Sequence, residues 1–102
     1  MVDAIAQRAL VCVKPSGERV TVTLRIGKPY RASDVDWACP VEAEGLHSNL
    51  SDMHGVDSFQ ALILAQRLLL QLAMGVVEDG GSFRSVEDGS AVDVTRLFAS
   101  GA

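Results

Sequence analysis

Two cysteines and two histidines are the residues of this chain best suited to bind a metal ion or a haem iron. The dipeptide Cys39-Pro40 could present a thiolate to haem iron, and Cys12, Cys39, His47 and His54 could together form a zinc set. Structural zinc sites usually use closely spaced pairs of ligands, whereas these four residues are widely separated. Free cysteines are more often small buried residues than ligands. We therefore predict no metal or cofactor residue.

Acid–base catalysis is the second kind of chemistry to consider. His47 and His54 flank a polar stretch that contains Asp52, and a His–Asp pair can act as a general base. No serine or cysteine nucleophile stands near them in a recognisable context. Glu42 and Glu44 would share one face of a strand, where solvated carboxylates are more usual than an acid–base pair. We predict no catalytic residue and lean against an enzyme.

Composition and charge narrow the remaining functional classes. The 102 residues are 48% hydrophobic and 22% charged, which is typical of one globular domain. The net charge is −4, whereas nucleic-acid binding usually needs a basic face, so no nucleic-acid partner is expected. The first residues lack a signal-peptide pattern, and the longest apolar run, residues 61–65, is much shorter than a membrane span. We expect a cytoplasmic protein with reduced cysteines and no membrane partner.

The N-terminal half carries the period-two patterns of β-strands. Residues 20–26 alternate apolar and polar side chains, residues 11–13 are apolar, and Pro15-Ser16-Gly17 between them favours a turn. These features predict a β-hairpin. Residues 28–35 lack a pattern and are predicted to be a loop. The alternation over residues 37–44 predicts a third strand with Pro40 at an edge or a bulge, and residues 47–54 could form a short fourth strand.

The clearest predicted element is one long apolar helix. Asp57 is suited to be its N-cap, Gln60 completes a capping box, and Gly80-Gly81 provides a stop after about Glu78. Its polar side chains fall in one narrow stripe made of Gln60, Arg67, Gln71 and Glu78. The apolar arc that remains is about twice as wide as the stripe of an ordinary surface helix. One sheet face cannot cover it, so the C-terminal segment, a second copy of the chain or another partner must contribute.

A partner contact is accordingly predicted on the apolar side of this helix. Gln66 is the odd polar residue in the apolar field, and it could hydrogen-bond across an interface. The residues predicted for a possible interface are Gln66, Leu62, Leu69, Leu70 and Ala73.

The C-terminal residues 82–102 allow two interpretations. Asp88-Gly89 could turn a hairpin, or Ser90 with Asp93 could cap a short helix over residues 91–99. Both stay open. The whole chain, residues 1–102, is predicted to be one α+β domain with its core at about residues 5–80. In it, an antiparallel sheet of three to four strands packs against one long helix in the C-terminal half.

The order of these motifs resembles a family of small bacterial domains of unknown function. The similarity covers about residues 8–80, and residues after 82 depart from the family pattern. It rests on Arg25-Ile26-Gly27, Trp37-Ala38-Cys39-Pro40, Glu44-Gly45-Leu46 and the helix start Gly55-Val56-Asp57-Ser58-Phe59-Gln60-Ala61-Leu62. The resemblance implies the fold and the order of the elements, and it brings no activity, substrate or active-site residue.

Two functional hypotheses follow. A non-catalytic protein-interaction domain, as a homodimer or bound to another protein, would explain the wide apolar arc of the helix. Small acidic domains can act as immunity or accessory proteins that neutralise a basic partner through charge complementarity. The alternative is a small-molecule binding module with a pocket between sheet and helix, lined by Trp37 and Arg25.

Overall fold

The computed structural model of the protein describes residues 3–99 and has an α+β fold, as predicted. There is more sheet than predicted, and the long helix lies in mid-chain because strands follow it. The strands are β1 (Ala4–Val13), β2 (Arg19–Gly27), β3 (Tyr30–Ser33), β4 (Asp36–Cys39), β5 (Val41–Glu44), β6 (Met53–Gly55), β7 (Ser82–Arg84) and β8 (Ala91–Val92). The helices are α1 (Ser58–Glu78) and α2 (Val94–Phe98).

The larger sheet has five antiparallel strands in the order β5-β2-β1-β7-β8. At its centre is the predicted hairpin of β1 and β2. The Gly17 N–H donates to the Lys14 carbonyl over 2.8 Å, and Gly17 has the positive φ of 91° that this turn requires. The alternation of β2 places Val22 and Leu24 in the core, where they face α1 and the second sheet.

The smaller sheet has three antiparallel strands in the order β3-β4-β6. Its strand β3 lies where a loop was predicted, and that prediction is wrong. All four residues of β3 are exposed, so neither face selects apolar side chains and the period-two signal is missing.

The predicted third strand is divided between the two sheets at Pro40. The residues before Pro40 form β4 of the smaller sheet, and those after it form β5 of the larger one. Because proline has no N–H to donate to a ladder, the chain can change sheets here without losing a backbone hydrogen bond. The predicted alternation nevertheless holds, since Cys39, Val41 and Ala43 are all buried. Residues 47–54 were predicted as a fourth strand, and only the end of this stretch belongs to a strand, β6.

Helix α1 begins and ends as predicted. The Asp57 carboxylate accepts from the Gln60 N–H over 2.8 Å, and the Gln60 side chain accepts from the Val56 N–H over 2.8 Å. The pair is a variant of the capping box, because the Gln60 side chain binds the N–H of the residue before the N-cap rather than that of Asp57 itself. The buried face repeats every four residues and consists of Ala61, Ala65, Leu69 and Ala73. Three of these four side chains are methyl groups, which lets the helix approach the strands closely.

The wide apolar arc of α1 is covered only in part from within the chain, since its fully buried residues are Ala61, Ala65, Leu69 and Ala73. The helix packs against β4 and β6 on one side and against α2 on another, with smaller contacts to β2 and β5. Both interpretations of the C-terminal segment are correct in part, because β7 and β8 form a hairpin and Asp93 caps α2 by accepting from the Thr95 N–H. Phe83 and Val94 from this segment belong to the core.

By length and composition alone, α1 could also cross a membrane, since its mean hydropathy over an 18-residue window is 1.5. The sequence prediction considered only the uninterrupted apolar run at residues 61–65, and it therefore missed the high mean hydropathy of the whole helix. Core helices that share this property are mostly buried, whereas 22% of this window is buried here, through its contacts with the strands and with α2.

Candidate functional site

The two cysteines are core residues. Cys12 and Cys39 are 2% and 0% exposed, and burial raises the pKa of both thiols. The Cys39 thiol also donates to the Gly27 carbonyl over 3.4 Å. Both groups are therefore held as protonated thiols away from solvent, which is unfavourable for a haem ligand or a nucleophile.

The structure separates the two histidines. His54 contacts Asp36 rather than Asp52, whereas the His47 ring contacts the Ser48 carbonyl over 2.9 Å. Within residues 3–99, no group of three or more His, Cys, Asp or Glu side chains is placed to hold a metal ion. The imagined zinc set is thus not assembled by the fold.

Two polar pairs tie together the outer face of the smaller sheet. Tyr30, Ala38 and His54 lie side by side on the three strands, and the Tyr30 hydroxyl donates to Asp52. This hydrogen bond, with a smaller contribution from burial, raises the pKa of the Tyr30 phenol. The His54–Asp36 pair joins β6 to β4, and the Tyr30–Asp52 pair joins β3 to the residue that precedes β6.

Arg25 lies on the far side of the larger sheet from α1. Its neighbour Leu24 faces the core, so the alternation of β2 turns Arg25 outwards. There its guanidinium binds Glu44 over 2.6 Å, Glu42 over 3.5 Å and Gln7 over 3.3 Å. Glu42 and Glu44 thus flank a cation. Arg25 does not lie between sheet and helix, where a pocket was predicted.

The Arg25–Glu44 contact makes a testable electrostatic prediction. The hydrogen bond and charge of Arg25 lower the pKa of Glu44, so this contact favours the folded state above the ordinary glutamate pKa and is lost as the pH falls. In Arg25→Gln, the pKa of Glu44 measured by carboxyl NMR titration is expected to rise towards its ordinary value. Glu87 is the internal control, because the Ser85 hydroxyl is the main cause that lowers its pKa. An unchanged Glu44 pKa would contradict the assignment.

Trp37 is half-buried on β4, opposite Arg31 on one neighbour and Gly55 on the other. It packs against the core cluster from the smaller sheet. The structure therefore does not bring Trp37 and Arg25 together, and neither lines the groove described next.

The candidate binding site for a partner or a ligand is a groove of about 360 Å³ with mostly apolar lining residues, between the larger sheet and the two helices. Its lining comes from β1, β2, α1 and the end of α2. The residues that line it are Ala6, Gln7, Arg8, Leu24, Ile26, Gln66, Leu69, Leu97, Phe98 and Ala99. Most of these side chains are apolar. The polar ones are Gln7, Arg8 and Gln66, and all three are exposed.

Of the residues predicted for an interface, some line the groove and others are buried in the core. Gln66 is exposed and lines the groove, and Leu69 contributes to its floor. Leu69 and Ala73 are buried in the core of this chain, so they have little surface left to offer to a second one. Leu62 and Leu70 are half-buried. Sequence reasoning missed the β1 side of the groove, because residues 4–8 have no apolar alternation.

Beside the groove, the N-terminal half of β1 has an open edge. In the described part of the chain, β7 pairs with β1 only at residues 11–13, while β2 pairs along nearly the whole strand. Residues 4–8 are exposed, and Ile5 is 56% exposed. The domain is slightly elongated, with a radius of gyration of 14.3 Å against about 13 Å for a compact domain of this length.

Comparison with known proteins places the chain in a family without assigning an activity. The model of DUF6968, described as a domain of unknown function, matches residues 6–95. The match includes the C-terminal hairpin and the start of α2, so the expected departure from the family pattern after residue 82 is wrong. No curated protein and no solved structure matches the chain.

Proposed function

This chain belongs to the DUF6968 family, and from its geometry we propose that it is a non-catalytic protein-interaction domain. The observation that supports the proposal is the open edge of β1 lying directly beside the apolar groove. Ala6 and Gln7 belong to both features. A partner could therefore use backbone hydrogen bonds and an apolar contact at the same place.

Strand addition is the recognition mode that such a surface fits. An extended segment that pairs with a sheet edge gains affinity from main-chain hydrogen bonds, and pockets for alternate side chains give it specificity. In this domain, the edge at Ala4–Gln7 would supply the hydrogen bonds. The groove between β2, α1 and α2 would receive an apolar side chain.

The charge of the chain supports a finer form of the proposal. With a net charge of −4, the domain would attract a basic protein and speed their association. An accessory or immunity-like role, in which the domain neutralises such a partner, agrees with this charge.

A photo-crosslinking amino acid at position 66 tests the proposal. Gln66 lines the groove, whereas Gln71 is also exposed but lies on another side of the same helix, so it is the matched control. We expect irradiation in cells to give a discrete protein adduct at position 66 and none at position 71. The absence of an adduct at 66, or the same adduct at both positions, would contradict the proposal.

The small-molecule alternative is favoured by one observation, the volume of the groove. A volume of about 360 Å³ lies within the range of ligand pockets, which is roughly 300–1,000 Å³, and most of the lining residues are of apolar type. A small ligand would leave position 66 without a protein adduct and would raise the melting temperature of the domain.

A further inference from the structure

We propose that the occupant of the open β1 edge is the same edge of a second copy of this chain, paired antiparallel about a two-fold axis. The two five-stranded sheets would then join into one sheet of ten strands. This inference rests on the proposed function, because it identifies the partner of the same surface.

The edge is open over a short, well-defined stretch. Beyond residues 11–13, the β7–β8 hairpin turns away from pairing. Arg84, the last residue of β7, pairs with Val11, and the turn of the hairpin follows it directly. The stretch of β1 farthest from this hairpin, and best placed to accept a new strand, is Ala4–Gln7.

The side chains of this stretch do little to block pairing. Soluble proteins usually protect sheet edges with lysine, proline, inward charges or bulges. Ala4-Ile5-Ala6-Gln7 contains no charge and no proline. The irregular pairing with β2 between Ala4 and Ala6 is the one protective device present, and Ile5 is exposed there.

The charges at the two ends of the stretch favour a second copy in the antiparallel orientation. Asp3 precedes it and Arg8 follows it. With a two-fold axis near Ile5 and Ala6, the Asp3 end of each copy faces the Arg8 end of the other, so the same opposite-charge contact forms twice. A parallel arrangement would instead bring like charges together. The uncharged stretch also lets two acidic chains meet where neither carries excess negative charge.

The same axis would bring the two grooves close together. A two-fold axis perpendicular to a continuous sheet leaves the helices of both copies on one side of it. The groove lies on the helix side, beside the edge of β1, and Leu97 and Phe98 of α2 line it. Apolar contacts between the two α2 helices would then add to the strand pairing, which alone is short.

Light scattering coupled to size exclusion, from micromolar to millimolar full-length chain, tests this inference. We expect twice the chain mass at the upper end. In Ile5→Lys the dissociation constant should rise at least about tenfold, because an apolar contact is lost and two like charges meet near the axis. Val35→Lys is the control, since Val35 is 83% exposed in the β3–β4 turn and should leave the dimer unchanged.

A charge exchange gives a second measurement that does not depend on folding alone. Arg8→Asp should weaken the dimer, and the double variant Asp3→Arg with Arg8→Asp should restore it.

A monomer at all concentrations, a dimer insensitive to Ile5→Lys, or no rescue by the double variant would overturn the inference. A monomeric wild type that still gives an adduct with a different protein at position 66 overturns this inference while supporting the proposed function. If position 66 gives no adduct at all, the proposed function fails as well.

Discussion

Replacing Phe83 with alanine is expected to lower the free energy of unfolding by about 3–5 kcal/mol. Phe83 is 2% exposed, and it is among the largest fully buried side chains of the domain. It lies on β7 between Cys12 of β1 and Val92 of β8. Truncation removes its buried ring and leaves a cavity that the neighbouring strands cannot fill.

Phe59→Ala is the matched control, because the same chemical change is made at a side chain that is 72% exposed. Surface substitutions of this kind usually alter stability by less than about 0.5 kcal/mol. Urea unfolding followed by circular dichroism measures both variants. Similar losses in the two would mean that the C-terminal hairpin is not an integral part of the core.

Gly45→Ala is expected to cost about 2–5 kcal/mol, from two separate causes. Gly45 follows β5 with a φ of 88°, a conformation that costs an L-residue about 1–2 kcal/mol. A Cβ atom there would also lie 2.4 Å from the Thr21 carbonyl oxygen, and such overpacking adds about 1–3 kcal/mol. The obstacle is backbone in the middle of the larger sheet, so it cannot move aside cheaply.

Gly17→Ala separates the two causes. Gly17 has nearly the same φ, 91°, but a Cβ atom there meets nothing within 4 Å. The control should therefore lose only the conformational part, and the difference between the two unfolding free energies gives the steric part. Equal losses would contradict the close approach of Gly45 to β2.

The elements that could be predicted from the sequence are those with local signals. The capping box at Asp57 and Gln60, the stop after Glu78 and the hairpin at Gly17 each depend on residues within a few positions of one another. Strand β3 could not be predicted in this way, because it is exposed on both faces and is defined only by its partner β4. The division at Pro40 likewise depends on which sheet each half joins.

The candidate site was predictable only from its helix side. Gln66 stands out as a polar residue within an apolar field, and it does line the groove. The other walls come from β1, β2 and α2, which are far from Gln66 in sequence. No local pattern marks Ala6 or Arg8, because their role arises from β7 pairing with only the far end of β1.

The passage of the chain between sheets at Pro40 has a consequence for how the domain opens. Cys39 and Val41, on either side of the proline, are both buried, and the Pro40 carbonyl accepts from the Gly27 N–H over 2.9 Å at the end of β2. Strand β4 cannot be withdrawn from the smaller sheet without pulling β5 away from the larger one. We therefore expect both sheets to belong to a single cooperative unit of local unfolding, so that neither melts while the other keeps its hydrogen-exchange protection.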